Sequence, residues 1–106
     1  MRQLLANCFR LLAVTLLLSG AAAAENNWRV SGAERIVAIP DIHGAYPEFV
    51  SLLKETGVVD EDLNWSGGNT HLVSLGDLLD RGAQSRKAMD LLMRLEQQAP
   101  EQGGRV

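Results

Sequence analysis

The sequence contains no apolar run long enough to span a bilayer. The run near its N-terminus, Leu11 to Leu18, is apolar but for one threonine and falls short of the roughly 20 residues that a spanning helix needs. Arg2 and Arg10 lie ahead of this run, and Ala22 and Ala24 behind it match the A-x-A pattern of a cleavage site. These features predict a cleaved signal peptide, and therefore a secreted or periplasmic protein.

Cysteine is nearly absent. The only one, Cys8, lies within the predicted signal peptide, residues 1–24, and ahead of the apolar run, where a lipid-modified cysteine is not expected. The chain that would remain after cleavage, Glu25 to Val106, has no thiol and can form no disulfide.

Positive charge is scarce as well. Because Arg2 and Arg10 belong to the predicted signal peptide, residues 25–106 carry all 13 acidic residues but only 8 of the 10 lysines and arginines, a formal net charge of −5. A general nucleic-acid binder needs a cationic surface to neutralise phosphates. We therefore expect no nucleic-acid partner, and contact with a membrane only through the signal peptide during export.

Two short apolar runs predict the strands of the domain. Residues 25–34 are polar and predict a spacer, and Arg35 to Pro40 then forms a β-branched run typical of a buried parallel strand. His71 to Leu75 is the second strand candidate. The chain ends on Glu101 to Val106, where we expect a further strand to start, so we expect the sequence to hold only part of a domain.

A helical period of apolar residues follows each predicted strand. The first helix has Pro47 in its first turn and Gly57 as its stop. The second begins near Ser85, a candidate N-cap, and breaks at Pro100. The order strand, helix, strand, helix predicts an α/β layered domain with parallel strands.

Charged side chains follow both strands directly. Asp41 and His43 come after the first strand, and Asp77, Asp80 and Arg81 come after the second. In open α/β sheets, ligands bind at the carboxyl ends of the strands, so these side chains would converge if the strands are neighbours. Carboxylate and imidazole groups suit divalent first-row metals, and a guanidinium can grip a phosphate at two points. The pattern therefore favours a metal site with a phosphate clamp beside it.

Two simpler interpretations of the same residues stay open at this point. An aspartate after a buried strand, such as Asp77, is often only the cap of the next helix. Arg81 could form a plain ion pair with Asp77 or Asp80, which would add little stability at the surface. Flanking glycines at 44, 76 and 82 favour the metal site, because they would let the backbone come close to the ions or adopt a positive φ.

Two motifs resemble a known family. The sequences DIHG at residues 41–44 and GDLLDRG at residues 76–82 resemble the first two signature blocks of the calcineurin-like metallophosphoesterases, most of all the branch of phosphoprotein phosphatases and Shewanella-like phosphatases. The resemblance implies a layered α-β-β-α sandwich, of which residues 35–106 would hold only the N-terminal β-α-β-α portion. One position departs from the family pattern, since Pro40 stands where the family usually has glycine.

The resemblance also implies a role for each candidate site residue. Asp41 and His43 would bind one of two divalent ions, manganese, iron or zinc, and Asp77 would bridge both. Arg81 would bind the substrate phosphate and act in catalysis together with Asp80, which would orient a histidine that serves as general acid. The family places that histidine in a G-N-H-E block, which would lie beyond the end of this sequence.

The function that the resemblance implies is hydrolysis of phosphate monoesters by a metal-bridging hydroxide. The expected substrates are phosphorylated proteins or small molecules, as for a serine/threonine or tyrosine phosphoprotein phosphatase. Hydrolysis of a dinucleotide polyphosphate is a second possibility, because it shares both motifs. The third is a chain that binds metal or phosphate without turnover, and for these 106 residues alone we expect no activity.

Overall fold

A computed structural model describes residues 29–106, and residues 31–106 form one compact unit. The predicted signal peptide and the first part of the predicted spacer, through residue 28, lie outside the described residues. Residues 29–34, the rest of that spacer, contain no helix or strand. Within residues 29–106, no helix combines the length and the apolar character needed to cross a membrane.

The sheet consists of two parallel strands. Strand β1 spans Arg35–Ile39 and strand β2 spans Thr70–Ser74, with Ile36 opposite His71 along the pair. Proline has no N–H to donate to a strand pair, and β1 ends directly before Pro40. The predicted parallel pairing is confirmed.

Helix α1 spans Tyr46–Glu55 and fills the connection between the strands. Pro47 lies in its first turn, as predicted. At the other end, Gly57 has a φ of 70° and its N–H donates to the carbonyl of Lys54, while the N–H of Val58 donates to the carbonyl of Leu53. This pair of bonds is a Schellman motif, which explains why the helix stops at this glycine.

Helix α2 spans Ser85–Gln98 and continues into a short 3₁₀ helix, Ala99–Gln102, that contains Pro100. The prediction that Ser85 caps this helix is wrong. Its hydroxyl does not accept a bond from a helix N–H but donates backwards, to the carbonyl oxygens of Leu79 and Gly82. The N-cap position is Gln84, whose side chain makes no capping bond.

One face of the sheet carries the core. Ile39 and Leu72 are buried on that face against apolar side chains of both helices: Phe49, Leu53, Ala88, Leu91, Leu92 and Leu95. The opposite face exposes Ile36 and Val73 to solvent. Arg105 pairs with His71 as a parallel bridge at the free edge of β2. The β-α-β-α order with parallel strands confirms the predicted α/β class.

Candidate metal and phosphate site

Two loops leave the carboxyl ends of the strands and lie side by side. The first loop, residues 40–45, joins β1 to α1, and the second loop, residues 75–84, joins β2 to α2. Their backbones are bonded to each other, because the N–H groups of Ile42 and His43 both donate to the carbonyl oxygen of Asp77, at 2.8 and 3.0 Å. The parallel pairing of β1 with β2 therefore brings the two motifs into direct contact.

Three glycines allow this close approach. A Cβ at Gly82 would lie 1.9 Å from the carbonyl oxygen of His43 and 2.4 Å from the Cα of Gly44. A Cβ at Gly76 would lie 1.5 Å from Oδ1 of Asp41. The sequence predicts that these glycines approach the ions or adopt a positive φ. Of the three, only Gly44 has a positive φ, 68°. Gly76 and Gly82 are needed for another reason, because they leave space for atoms of the first loop.

Two of the predicted site carboxylates flank the imidazole ring of His43. Nε2 of His43 lies 3.5 Å from Oδ2 of Asp41, and Nδ1 lies 3.8 Å from Oδ2 of Asp77. The second carboxylate oxygen of Asp41 accepts a hydrogen bond from the N–H of Asp77 at 3.0 Å. The structure thus brings Asp41, His43 and Asp77 together at one edge of the sheet, although they lie up to 36 positions apart in the sequence.

The donor set fits a divalent cation. Nδ1 of His43 is buried and has no hydrogen-bond partner among residues 29–106. The 3.8 Å to Asp77 is too long for a hydrogen bond, yet two metal–ligand bonds of about 2.0–2.2 Å each can bridge it. One nitrogen and one oxygen of this kind suit zinc, manganese or iron.

Asp80 is closer to this set than the sequence suggested. His43, Asp77 and Asp80 each offer a ligand atom, and these three atoms lie within 4.8 Å of one another. Sequence reasoning gave Asp80 a role beside a histidine of another block and did not count it as a ligand candidate. Asp80 follows Asp77 by three positions, a spacing that a turn can bring together. This spacing in the sequence could have suggested that both aspartates face one metal.

Arg81 is held in an unfavourable backbone conformation. Its φ is 74°, and the N–H of Gly82 donates to the carbonyl of Asp80 across it, which together match the strained form of the γ-turn. His43 also has a positive φ, 50°. Such conformations cost about 1–3 kcal/mol each and are concentrated at functional sites. Two of the five predicted site residues therefore carry backbone strain.

The Arg81 guanidinium lies between a carboxylate and the imidazole. Its Nε is 3.2 Å from Oδ2 of Asp80, and one terminal nitrogen is 3.4 Å from Nε2 of His43. The side chain is 73% exposed, so the ion pair with Asp80 adds little stability. That ion pair, considered above as the simpler interpretation, is present, and it leaves most of the guanidinium open to solvent next to the possible metal ligands.

The environment of Asp77 favours its charged form. The backbone N–H groups of Asp80 and Leu79 each donate to Oδ1 at 2.9 Å, and these bonds lower the pKa of the carboxyl below its ordinary value. Burial acts in the opposite direction, and the charges of His43 and Arg81 add to the lowering. An ionised carboxylate is the form that binds a metal, and Oδ2 of Asp77 lies toward Nδ1 of His43.

The lowered pKa of Asp77 gives a pH dependence of stability. A carboxyl whose pKa is lower in the folded chain stabilises the fold above its unfolded pKa, and this contribution is lost as the pH falls through the folded pKa. We expect the stability difference between the wild-type chain and Asp77→Asn to shrink as the pH falls below about 4. Urea denaturation of both proteins in EDTA, at pH 6 and at pH 3, measures this difference. A difference that stays constant or widens at pH 3 would contradict the assigned cause.

Comparison with known proteins identifies the family of this chain. A sequence model of the calcineurin-like phosphoesterase family matches residues 34–100. Shewanella-like protein phosphatase 2 of Arabidopsis thaliana is 38% identical over 73 residues, which are 69% of this chain and 19% of that protein. An asymmetrical bis(5'-nucleosyl)-tetraphosphatase of Anoxybacillus flavithermus is 41% identical over 61 residues, 57% of this chain and 25% of that protein.

Solved structures give the same result. A cold-active protein-tyrosine phosphatase of a psychrophilic Shewanella species superposes with a TM-score of 0.67 and 40% identity, over 71% of this chain and 23% of that one. The parallel strands of this α/β fold bring His43, Asp77 and Asp80 together as a candidate metal-binding group. The chain belongs to the calcineurin-like phosphoesterase family. It spans about a fifth of the length of the first curated relatives it matches.

Proposed function

We propose that this chain supplies the first part of a phosphatase site that hydrolyses phosphate monoesters. Asp41, His43 and Asp77 hold divalent ions in this proposal, and Arg81 binds the substrate phosphate. The observation that carries it is the meeting of these four side chains where the two loops contact, with a buried imidazole nitrogen that has no hydrogen-bond partner in the described part of the chain.

Each residue has a separable task. Two divalent ions, when bound, supply Lewis acidity that activates water and offsets negative charge at phosphorus. Oδ1 of Asp77 accepts hydrogen bonds from the backbone N–H groups of Leu79 and Asp80, and these bonds fix the direction of Oδ2. The Arg81 fork offers donors that match two phosphate oxygens. Asp80 contacts Nε of that guanidinium and so helps to orient it.

Phosphorylated proteins are the proposed substrates. The relatives that match large shares of this chain include Shewanella-like protein phosphatases and a protein-tyrosine phosphatase, and their activities favour this class. A second candidate, hydrolysis of a dinucleotide polyphosphate, is favoured by the similarity to a tetraphosphatase. Both reactions place a phosphate next to a cation pair, so the two loops alone do not discriminate between them.

For the 106-residue chain by itself, we propose metal binding without turnover. Its histidines are His43, already at the site, and His71, which lies within β2 and pairs with Ile36 and Arg105. A histidine acting as general acid would have to come from further sequence. A G-N-H-E block encoded within a few dozen codons after Val106 would support the enzyme, and its absence there would favour a binding role.

Activity assays on the gene's full product distinguish the candidates. With manganese present, release of phosphate from a phosphotyrosine or phosphoserine peptide that is lost in Asp77→Asn supports the phosphatase. Turnover of diadenosine tetraphosphate alone supports the second candidate. A protein that binds manganese but turns over neither substrate supports the binding role, and a protein that binds no divalent ion contradicts all three.

Replacing Arg81 separates phosphate binding from metal binding. We expect Arg81→Ala to weaken binding of inorganic phosphate about tenfold or more, because a charge-assisted bidentate contact is lost. Metal affinity is expected to stay within about twofold, because the guanidinium is not a ligand. Calorimetric titration with phosphate, in the presence of zinc, measures the first quantity, and zinc titration measures the second.

Arg86→Ala is the matched control for this experiment. Arg86 is an exposed arginine of α2 that pairs with Asp90 one turn further along the helix. Its replacement is expected to change neither titration. Equal phosphate affinity in Arg81→Ala and Arg86→Ala would exclude Arg81 from the phosphate site.

A further inference from the structure

We propose that Ser85 is a positioning residue, which fixes the backbone around Asp80 and Arg81 so that the guanidinium faces the metal ligands. The proposal rests on the proposed function, because it assumes that Arg81 binds phosphate. Ser85 lies outside the two motifs quoted above, and its predicted role was only to cap α2.

The Ser85 hydroxyl contacts the backbone on both sides of Arg81. Oγ donates to the carbonyl oxygen of Leu79 at 2.8 Å and lies 3.2 Å from the carbonyl oxygen of Gly82, so its single proton is shared between them. These two carbonyls flank the dipeptide Asp80–Arg81. Ser85, six positions after Leu79, thus closes the part of the second loop that carries Arg81.

The Ser85 hydroxyl also lies close to the first loop. A Cβ built on Gly44 would lie 2.8 Å from the Ser85 hydroxyl oxygen and 2.7 Å from the Cα of Gly82. The hydroxyl therefore lies at the junction where the His43–Gly44 segment meets the second loop. Since Ser85 is the first residue of α2, which is buried against the core through Ala88, Leu91 and Leu92, a rigid element holds this junction.

The geometry of Arg81 explains why such a restraint is needed. Its positive φ and the hydrogen bond from Gly82 to Asp80 form a strained turn that the chain leaves readily unless other contacts hold it. The exposed Arg81 side chain makes an ion pair with Asp80 and a contact with His43 at the surface. At the ends of this turn, the Ser85 hydroxyl binds the carbonyls of Leu79 and Gly82, and Oδ1 of Asp77 accepts from the N–H of Asp80.

The test compares the wild-type chain with Ser85→Ala, Ser85→Thr and Ser51→Ala. Ser85→Thr keeps a hydroxyl and is the rescue variant. Ser51→Ala is the matched control, because the Ser51 hydroxyl also donates to a backbone carbonyl, that of Pro47, but within α1 and away from the second loop. Circular dichroism verifies that each variant is folded. ¹⁵N relaxation of the full 106-residue chain then gives backbone order parameters for Asp80, Arg81 and Gly82.

In Ser85→Ala we expect these order parameters to fall from the rigid value of about 0.85 to below about 0.6, while β1 and β2 keep theirs. Ser85→Thr and Ser51→Ala are expected to match the wild type. Affinity for inorganic phosphate, titrated in the presence of zinc, should fall about five- to tenfold in Ser85→Ala, as expected for one or two ordinary hydrogen bonds. Zinc affinity should be unchanged.

Three outcomes separate the proposal from the function on which it rests. Order parameters in Ser85→Ala that equal those of the wild type would overturn the positioning role. Looser dynamics in both Ser85→Ala and Ser85→Thr, with a lower melting temperature in both, would overturn it too, because packing and not the hydroxyl would be responsible. Loosening confined to Ser85→Ala, in a chain whose wild type binds no phosphate, supports the positioning role and contradicts the role proposed for Arg81.

Discussion

Asp77→Asn is expected to lower the affinity of the chain for manganese or zinc about 100-fold or more, because even the loss of an outer partner of a ligand costs about 10- to 100-fold. The substitution removes the negative charge but keeps a side-chain oxygen. That oxygen can still accept from the N–H groups of Leu79 and Asp80, so the turn that starts the second loop is retained. The metal loss should therefore occur in a folded protein.

Isothermal titration with each metal measures this prediction, and urea denaturation in EDTA verifies that the fold is kept. Asp90→Asn is the matched control, because Asp90 is an exposed aspartate of α2 whose partner is Arg86. It removes the same charge from the chain without changing the two loops. Unchanged metal affinity in Asp77→Asn would show that Asp77 is not a ligand.

Gly82→Ala is expected to lower the free energy of unfolding by at least ~2 kcal/mol, because overpacking against atoms that cannot move aside costs about 1–3 kcal/mol and occasionally more. The added methyl group would lie 1.9 Å from the carbonyl oxygen of His43 and 2.4 Å from the Cα of Gly44. Both are backbone atoms of the first loop, which is bonded to the second loop through the N–H groups of His43 and Gly44, so the loops must separate. Metal affinity should fall together with stability.

Ala83→Ser is the control, since Ala83 is exposed and next to Gly82 in the chain. Gly76→Ala gives a useful contrast. Its methyl group would meet the carboxylate end of Asp41, a side chain that can rotate, so we expect weaker metal binding with a smaller loss of stability. A change within about 0.5 kcal/mol for Gly82→Ala, the range of ordinary surface substitutions, would contradict the close contact of the two loops.

The sequence predicted the elements well because each has a local cause. The apolar runs of the strands, the proline in the first turn of α1 and the glycine at its end each determine the structure of the adjacent residues. Helix α1 accordingly ends at the Gly57 motif, as predicted. The meeting of the first loop with the second also followed from a general rule, since parallel neighbouring strands present their carboxyl ends at one edge.

What the sequence left out depends on contacts between distant segments. Gly76 leaves space for the Asp41 side chain only because of the register of β1 against β2. No local sequence pattern encodes this register. The Ser85 hydroxyl had two possible uses, a helix cap or a bond back to the second loop, and only the packing of that loop selects the second. Asp80 joins His43 and Asp77 for the same reason.

Paramagnetic broadening by manganese tests the central proposal most directly. Small amounts of Mn²⁺ added to the ¹⁵N-labelled 106-residue chain should broaden the amide signals of residues 41–44 and 76–82 first, and EDTA should restore them. The exposed acidic residues Asp60, Glu61 and Asp62 serve as an internal comparison. They lie outside both motifs and carry carboxylates but no histidine. Broadening that starts at residues 60–62, or that is absent from both loops, would contradict a shared metal site of Asp41, His43 and Asp77.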